Sequence, residues 1–168
     1  MGLRLILMRH AKSSWDDPLS DDFDRVLNAR GQTNAAAMGI WLRDKAYLPD
    51  EVLVSAAART RETYEWLSNG MGLCANVEIK DTLYLASDRR IMSHLKQAEG
   101  NTVLLIAHNP GVGEFAARFA NRAPRHKDFA RYPTCATSVF DVAAPTWSEI
   151  AFGVNPVVDF VVPRDLDA

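Results

Sequence analysis

Between residues 3 and 107 the chain alternates short apolar runs with longer segments of helical spacing, and few architectures accept that rhythm. The runs 3–8 (LRLILM), 51–55 (EVLVS) and 102–107 (TVLLIA) are short and rich in Leu, Ile and Val, as strands buried on both faces are. A weaker strand is predicted at 77–80. Residues 31–46 (GQTNAAAMGIWLRDKA), 59–68 (RTRETYEWLS) and 112–121 read as helices. So does 88–98, where Ile91, Leu95 and Ala98 share one face. Segments of β type follow at 137–142, 149–152 and 157–162. Strands separated by helices need crossover connections. The expected fold is therefore α/β: a single domain over 1–168, built as a three-layer sandwich with a mostly parallel central sheet and helices on both faces. The stretch 122–135 (RAPRHKDFARYPTC) mixes charge with proline and reads as a surface excursion.

A length of 168 residues suits one core. With 48% hydrophobic and 24% charged residues, the composition argues against long disorder. Nineteen basic and 21 acidic residues leave a net charge of −2, so no global basic field points to nucleic acid or an anionic membrane. Any affinity for anions must come from a local cluster. Two cysteines, Cys74 and Cys135, are too few for a disulfide framework and fit a reducing, cytoplasmic setting. Leu5–Met8 is too short for a signal-peptide core, Ile6 stands where a myristoylation signal needs Ser or Thr, and nothing approaches a membrane span.

In open α/β sheets ligands bind beyond the carboxyl ends of the strands. The first strand here ends in Arg9-His10, the second in Ser55 before "AAARTRET", and the strand 102–107 in His108-Asn109. One histidine or one arginine at such a place is ordinarily structural. Strands running parallel would instead bring Arg9, His10, Arg59 and His108 to one mouth. Guanidinium forks match phosphate oxygens. Nearby cations disfavour an imidazolium, and a neutral imidazole nitrogen is a nucleophile. Its other nitrogen must be held, for instance by a backbone carbonyl. In phosphoryl transfer one arginine can be worth about 10³–10⁵ in rate. His108 would add a further donor.

At these residues the sequence resembles the histidine phosphatase superfamily, with its phosphoglycerate-mutase-like fold. "MRHAKSSW" carries the family's Arg-His-Gly triplet with Ala11 in place of the glycine. Together with "DFDRVLNARG" (22–31), "SAAARTRET" (55–63), "LYLAS" (83–87) and "AHNPGV" (107–112), it looks most like the SixA-type protein-phosphohistidine phosphatases. The resemblance implies that His10 is the phospho-acceptor, Arg9 and Arg59 the phosphate clamps, and His108 the second pocket histidine, with Asn109 beside them in the phosphate-binding set. Lys12, Ser14 and Trp15 lie near the motifs without an assigned role, while Asp22 and Asp24 read as residues that order their loop or cap the next segment.

Larger members of the family usually carry an acidic proton donor between the helix after the second strand and the later histidine. In that interval stand Glu78, Asp81, Asp88 and Glu99, none in a recognisable signature, and Asp81 is the one that could still reach the mouth. An alkoxide leaving group needs such help, worth roughly 10²–10⁴. A phosphohistidine needs it far less. The expected substrate is therefore phosphohistidine on a partner protein, a histidine phosphotransfer protein being one such partner. A small phosphorylated molecule and a non-catalytic module that binds phosphorylated partners are the alternatives. No cofactor, metal, nucleic acid or membrane is implied. The dinucleotide reading of "GVGEFA" (111–116) fails because three residues separate it from the strand. The four histidines, His10, His94, His108 and His126, lack metal-ligand spacing, and His94 and His126 read as surface residues.

Overall fold

A computed structural model describes residues 2–167. Its sheet is built from β1 (Leu3–Arg9), β2 (Glu51–Ser55), β3 (Val77–Lys80), β4 (Thr102–Ala107), β5 (Thr137–Val142) and β6 (Val157–Val161), in the order β3-β2-β4-β1-β5-β6. The neighbours β1–β4, β2–β4 and β2–β3 run parallel, whereas β5 runs antiparallel to both β1 and β6. The helices are α1 (Ala29–Asp44), α2 (Ala58–Met71), α3 (Asp88–Leu95), α4 (Gly111–Phe119) and the short α5 (Pro163–Leu166).

Period-two alternation divides the strands between two cores. Leu5, Leu7, Leu53, Val103 and Leu105 face α3 and α4, where Ile91, Leu95, Phe115 and Phe119 meet them. Ile6, Met8, Val52, Val54, Leu104 and Ile106 face α1 and α2, against Met38, Leu42, Tyr64 and Leu67. This is the mostly parallel α/β sandwich expected from the sequence. Among the described residues no helix is long and apolar enough to cross a membrane.

Two expectations fail. Residues 149–152 form no strand; a 3₁₀ turn at Trp147–Glu149 stands there instead. Trp147 and Ile150 are both buried, and a spacing of three suits a turn better than a pleat. The Trp147 indole then donates to the Gly100 carbonyl at 2.6 Å. Nor is 122–135 a mere surface excursion. Phe129 and Tyr132 are buried, and the Tyr132 hydroxyl donates to the Leu7 carbonyl at 2.8 Å. Two aromatic anchors outweigh the charges around them and fold this segment over the end of β1.

Close approach of α1 and α2 depends on glycine. A Cβ on Gly39 would lie 2.0 Å from the Leu67 carbonyl oxygen. Gly39→Ala must therefore push the two helices apart, and overpacking of this kind costs about 1–3 kcal/mol. Urea denaturation should show a lowered midpoint with native circular dichroism retained in water.

Candidate active site

The pairing of β1 with β4 sets Arg9 opposite Ala107, so the next residues, His10 and His108, leave the sheet side by side. Their ring centroids are 5.3 Å apart. Ser55 ends β2 on the far side of β4, and its Oγ lies 2.7 Å from His108 Nε2. The first turn of α2 holds Arg59. Thr63, one turn on, donates to the Arg59 carbonyl at 2.6 Å and accepts from the Ala11 amide at 3.0 Å, tying α2 to the loop after β1. His10, Arg59 and His108 are buried at the ends of three different elements. The structure thus brings the four predicted residues Arg9, His10, Arg59 and His108 together.

His10 Nδ1 sits 2.7 Å from the carbonyl oxygen of Ala11. A carbonyl only accepts, so Nδ1 carries the proton and Nε2 keeps the lone pair. Burial holds the ring neutral, its pKa lowered to about 3, with Arg9, Arg59 and Arg25 adding repulsion against a positive charge. His108 is likewise lowered to about 3, first by burial, then by His10 and Arg59. When the Ser55 hydroxyl donates to Nε2, the His108 proton sits on Nδ1. Ala11, where the family triplet has glycine, is fully buried and has no positive φ, so the alanine costs no backbone strain here.

Three residues absent from the sequence-level site complete it. Asp22, at the head of a 3₁₀ turn (Asp22–Asp24), accepts from Arg59 Nη2 at 3.0 Å, from Arg25 Nη2 at 3.0 Å and from the Tyr84 hydroxyl. Its backbone carbonyl takes a further bond from Arg59 Nη1 at 2.6 Å. The Tyr84 hydroxyl and the two arginines hold its carboxyl well below the usual range. Asp22 does order its loop, as read from the sequence, and it does so by holding Arg59. Arg25 stacks over the exposed Trp15 ring at 3.8 Å and donates to Ser13 Oγ. Tyr84 packs edge-on against His108 with centroids 5.4 Å apart. The signal for all three was their membership of "DFDRVLNARG" and "LYLAS", which local pattern alone does not resolve into roles.

Asn109 is placed at the same turn with its amide committed. Nδ2 donates to the Tyr132 carbonyl at 3.0 Å, which also accepts from Arg9 Nη1 at 3.2 Å, and Oδ1 accepts from the Gly113 amide at 3.1 Å. Asp81 touches the site through its backbone, where its carbonyl accepts from the Tyr84 amide at 3.1 Å, and among the described residues its carboxylate has no ion-pair partner. His94 and His126 lie at the surface, half-buried and each tied to a neighbour. His94 lies 2.8 Å from Thr82 Oγ1, and His126 pairs with Asp165 at 2.9 Å. Among the described residues no group of three or more His, Cys, Asp or Glu could hold a metal ion.

Chemically the site is an anion trap. Among the described residues, the buried side-chain nitrogens and oxygens without a hydrogen-bond partner are Arg9 Nε, Arg25 Nε, Arg59 Nε and His108 Nδ1, all in this one cluster. Unpaired buried donors cost about 1–3 kcal/mol each, which an anionic ligand offsets. Three guanidiniums against the Asp22 carboxylate make the site strongly positive, complementary to a phosphoryl group.

The histidine phosphatase superfamily (branch 1) matches residues 5–84. An uncharacterised protein of Mycobacterium tuberculosis is 31% identical over 164 residues, covering 94% of this chain and 100% of that protein. Phosphohistidine phosphatase SixA of Escherichia coli is 29% identical over 119 residues, 68% of this chain and 73% of the relative. A structure from Nakamurella multipartitia assigned as SixA aligns with a TM-score of 0.82 at 26% identity, over 97% of both chains. The chain belongs to the histidine phosphatase superfamily. Within it the chain resembles the SixA proteins, and its class of activity is that of a phosphatase.

The depressed histidines fix a sign for pH. In the unfolded chain both rings take up a proton below about pH 6.5, whereas the folded protein resists until about 3. The unfolded state binds more protons in that window, so stability decreases as the pH is lowered through it, by up to about 1.4 kcal/mol per pH unit for each ring. Urea midpoints measured at pH 7 and pH 5 should drop for the wild type. In a His10→Asn/His108→Asn variant most of that drop should vanish.

Proposed function

We propose that the protein hydrolyses phosphohistidine on a partner protein through a phosphoryl group carried transiently on His10. Arg9, Arg25 and Arg59 grip the three phosphoryl oxygens, and His108 donates from Nδ1 to the group in flight. Asn109 acts as a positioning residue, sharing the Tyr132 carbonyl with Arg9. In the first step the His10 Nε2 lone pair attacks phosphorus and the bond to the substrate nitrogen breaks. The departing imidazole keeps that electron pair and leaves neutral, with its proton already on the other nitrogen. In the second step water attacks phosphorus and the P–Nε2 bond breaks. His10 also leaves neutral, because its Nδ1 proton rests throughout on the Ala11 carbonyl. The water hydrogens go to phosphate and solvent.

The observation that carries the P–N preference is the state of Asp22. It is the carboxylate closest to the clamp, and Arg25, Arg59 and Tyr84 keep it ionised at neutral pH. An alkoxide would find no proton there, and it would forfeit the roughly 10²–10⁴ that general acid catalysis supplies. A protonated imidazole forfeits nothing.

Rapid mixing with a phosphohistidine peptide, quenched in alkali because the P–N bond is acid-labile, should label the wild type and not His10→Ala. Equal labelling of both would refute the intermediate. Phosphoserine peptides and sugar phosphates should turn over at least about 100-fold more slowly than the phosphohistidine peptide. Comparable rates would favour a small-molecule phosphomonoesterase. Arg25→Ala should lower kcat/KM by about 10³-fold or more, within the range of arginine contributions to phosphoryl transfer. An unchanged value would remove Arg25 from the clamp.

A further inference from the structure

We propose that a basic groove beside His10 docks an acidic stretch flanking the phosphohistidine of the substrate protein. The proposal rests on the phosphohistidine reading and adds to it the sequence chemistry of the partner. A cavity of about 520 Å³ opens next to the phosphoryl site, with Arg9 as the shared wall. Around it stand Lys12 after β1, Arg30 in the first turn of α1, Arg131 in the segment over β1, and Arg164 in α5. All four are exposed. Its single acidic lining residue, Asp128, is already paired with Arg131 at 3.1 Å. Lys12, Arg30 and Arg164 have no carboxylate partner among the described residues.

The chain as a whole is acidic, so this concentration is not a sampling of its average surface. The four cations come from positions 12, 30, 131 and 164 and meet only because the fold closes. Arg30 is also misplaced for helix stability. It sits at the positive end of the α1 dipole, with no acidic residue in that turn, an arrangement that disfavours the helix. Repulsion among unpaired cations is relieved by a ligand of opposite charge. Metabolite pockets are mostly apolar and enclosing. This groove is mainly polar with exposed cations on its rim, which suits a solvated, extended acidic segment.

The test compares two phosphohistidine peptides, one flanked by Asp and Glu and one by Ser and Gly. Wild type should favour the acidic peptide about tenfold in kcat/KM at low salt, a preference that fades as salt screens the rim. Arg30→Gln/Arg164→Gln should abolish the preference while leaving turnover of phosphoramidate, which has no flank, unchanged. Equal use of both peptides by wild type overturns the proposal, as does a loss in the variant that phosphoramidate shares. A doubly phosphorylated small molecule that outcompetes the acidic peptide also overturns it. Fluorescence anisotropy with an unphosphorylated acidic peptide reads docking without catalysis. Binding by wild type and not by the variant upholds the groove even if no substrate turns over, in which case only the hydrolytic reading fails.

Discussion

The pairing of β1 with β4 governs the rest of the site. With Arg9 opposite Ala107, the chain leaves both strands at one level, and His10 and His108 emerge as neighbours. A slip of one residue would turn every side chain of β1 to the opposite face, exchanging its two cores and sending Arg9 and His10 to the wrong sides of the sheet. Four consecutive, fully buried side chains, Leu5 to Met8, hold that register against both helical layers. The packing that stabilises the strand is thus the same packing that aims the reactive groups.

Electrostatically the site concentrates like charge where folding alone would disperse it. Arg9 is lowered from the ordinary arginine pKa by burial and by Arg59, a sign of mutual repulsion inside the cluster. Asp22 counters part of it, and Tyr84 fixes Asp22 in turn. The result is a set of donors whose positions are settled before any anion arrives. Preorganisation of that kind spares the reaction the reorganisation that water would need. The Ala11 carbonyl does the complementary work on His10, selecting one tautomer and so leaving the ring's lone pair on Nε2.

Much of this was legible in the sequence because strand ends are local facts. Arg9-His10, Ser55 and His108 follow short apolar runs, and an alternating α/β pattern places such ends on one rim. Other parts were not legible, for identifiable reasons. Asp22 and Arg25 lie in a loop without periodicity, and their importance comes from contacts with Arg59 and Tyr84, residues 37 and 62 positions from Asp22. The segment 122–135 was misread because its charges outnumber the two aromatic rings that anchor it. At Trp147 and Ile150 the chain needed two buried side chains three apart, which composition did not distinguish from a strand.

The sequence by itself determined the alternation of elements, the two faces of each strand and the residues that stand at the strand ends, since these follow from hydrophobic periodicity along the chain. Tertiary structure alone decided the tautomer of His10, the further lowering of the Asp22 pKa and the meeting of Lys12, Arg30, Arg131 and Arg164 around one groove. Those properties depend on burial and on distances between groups far apart in the chain. No local pattern encodes such distances before the layers close.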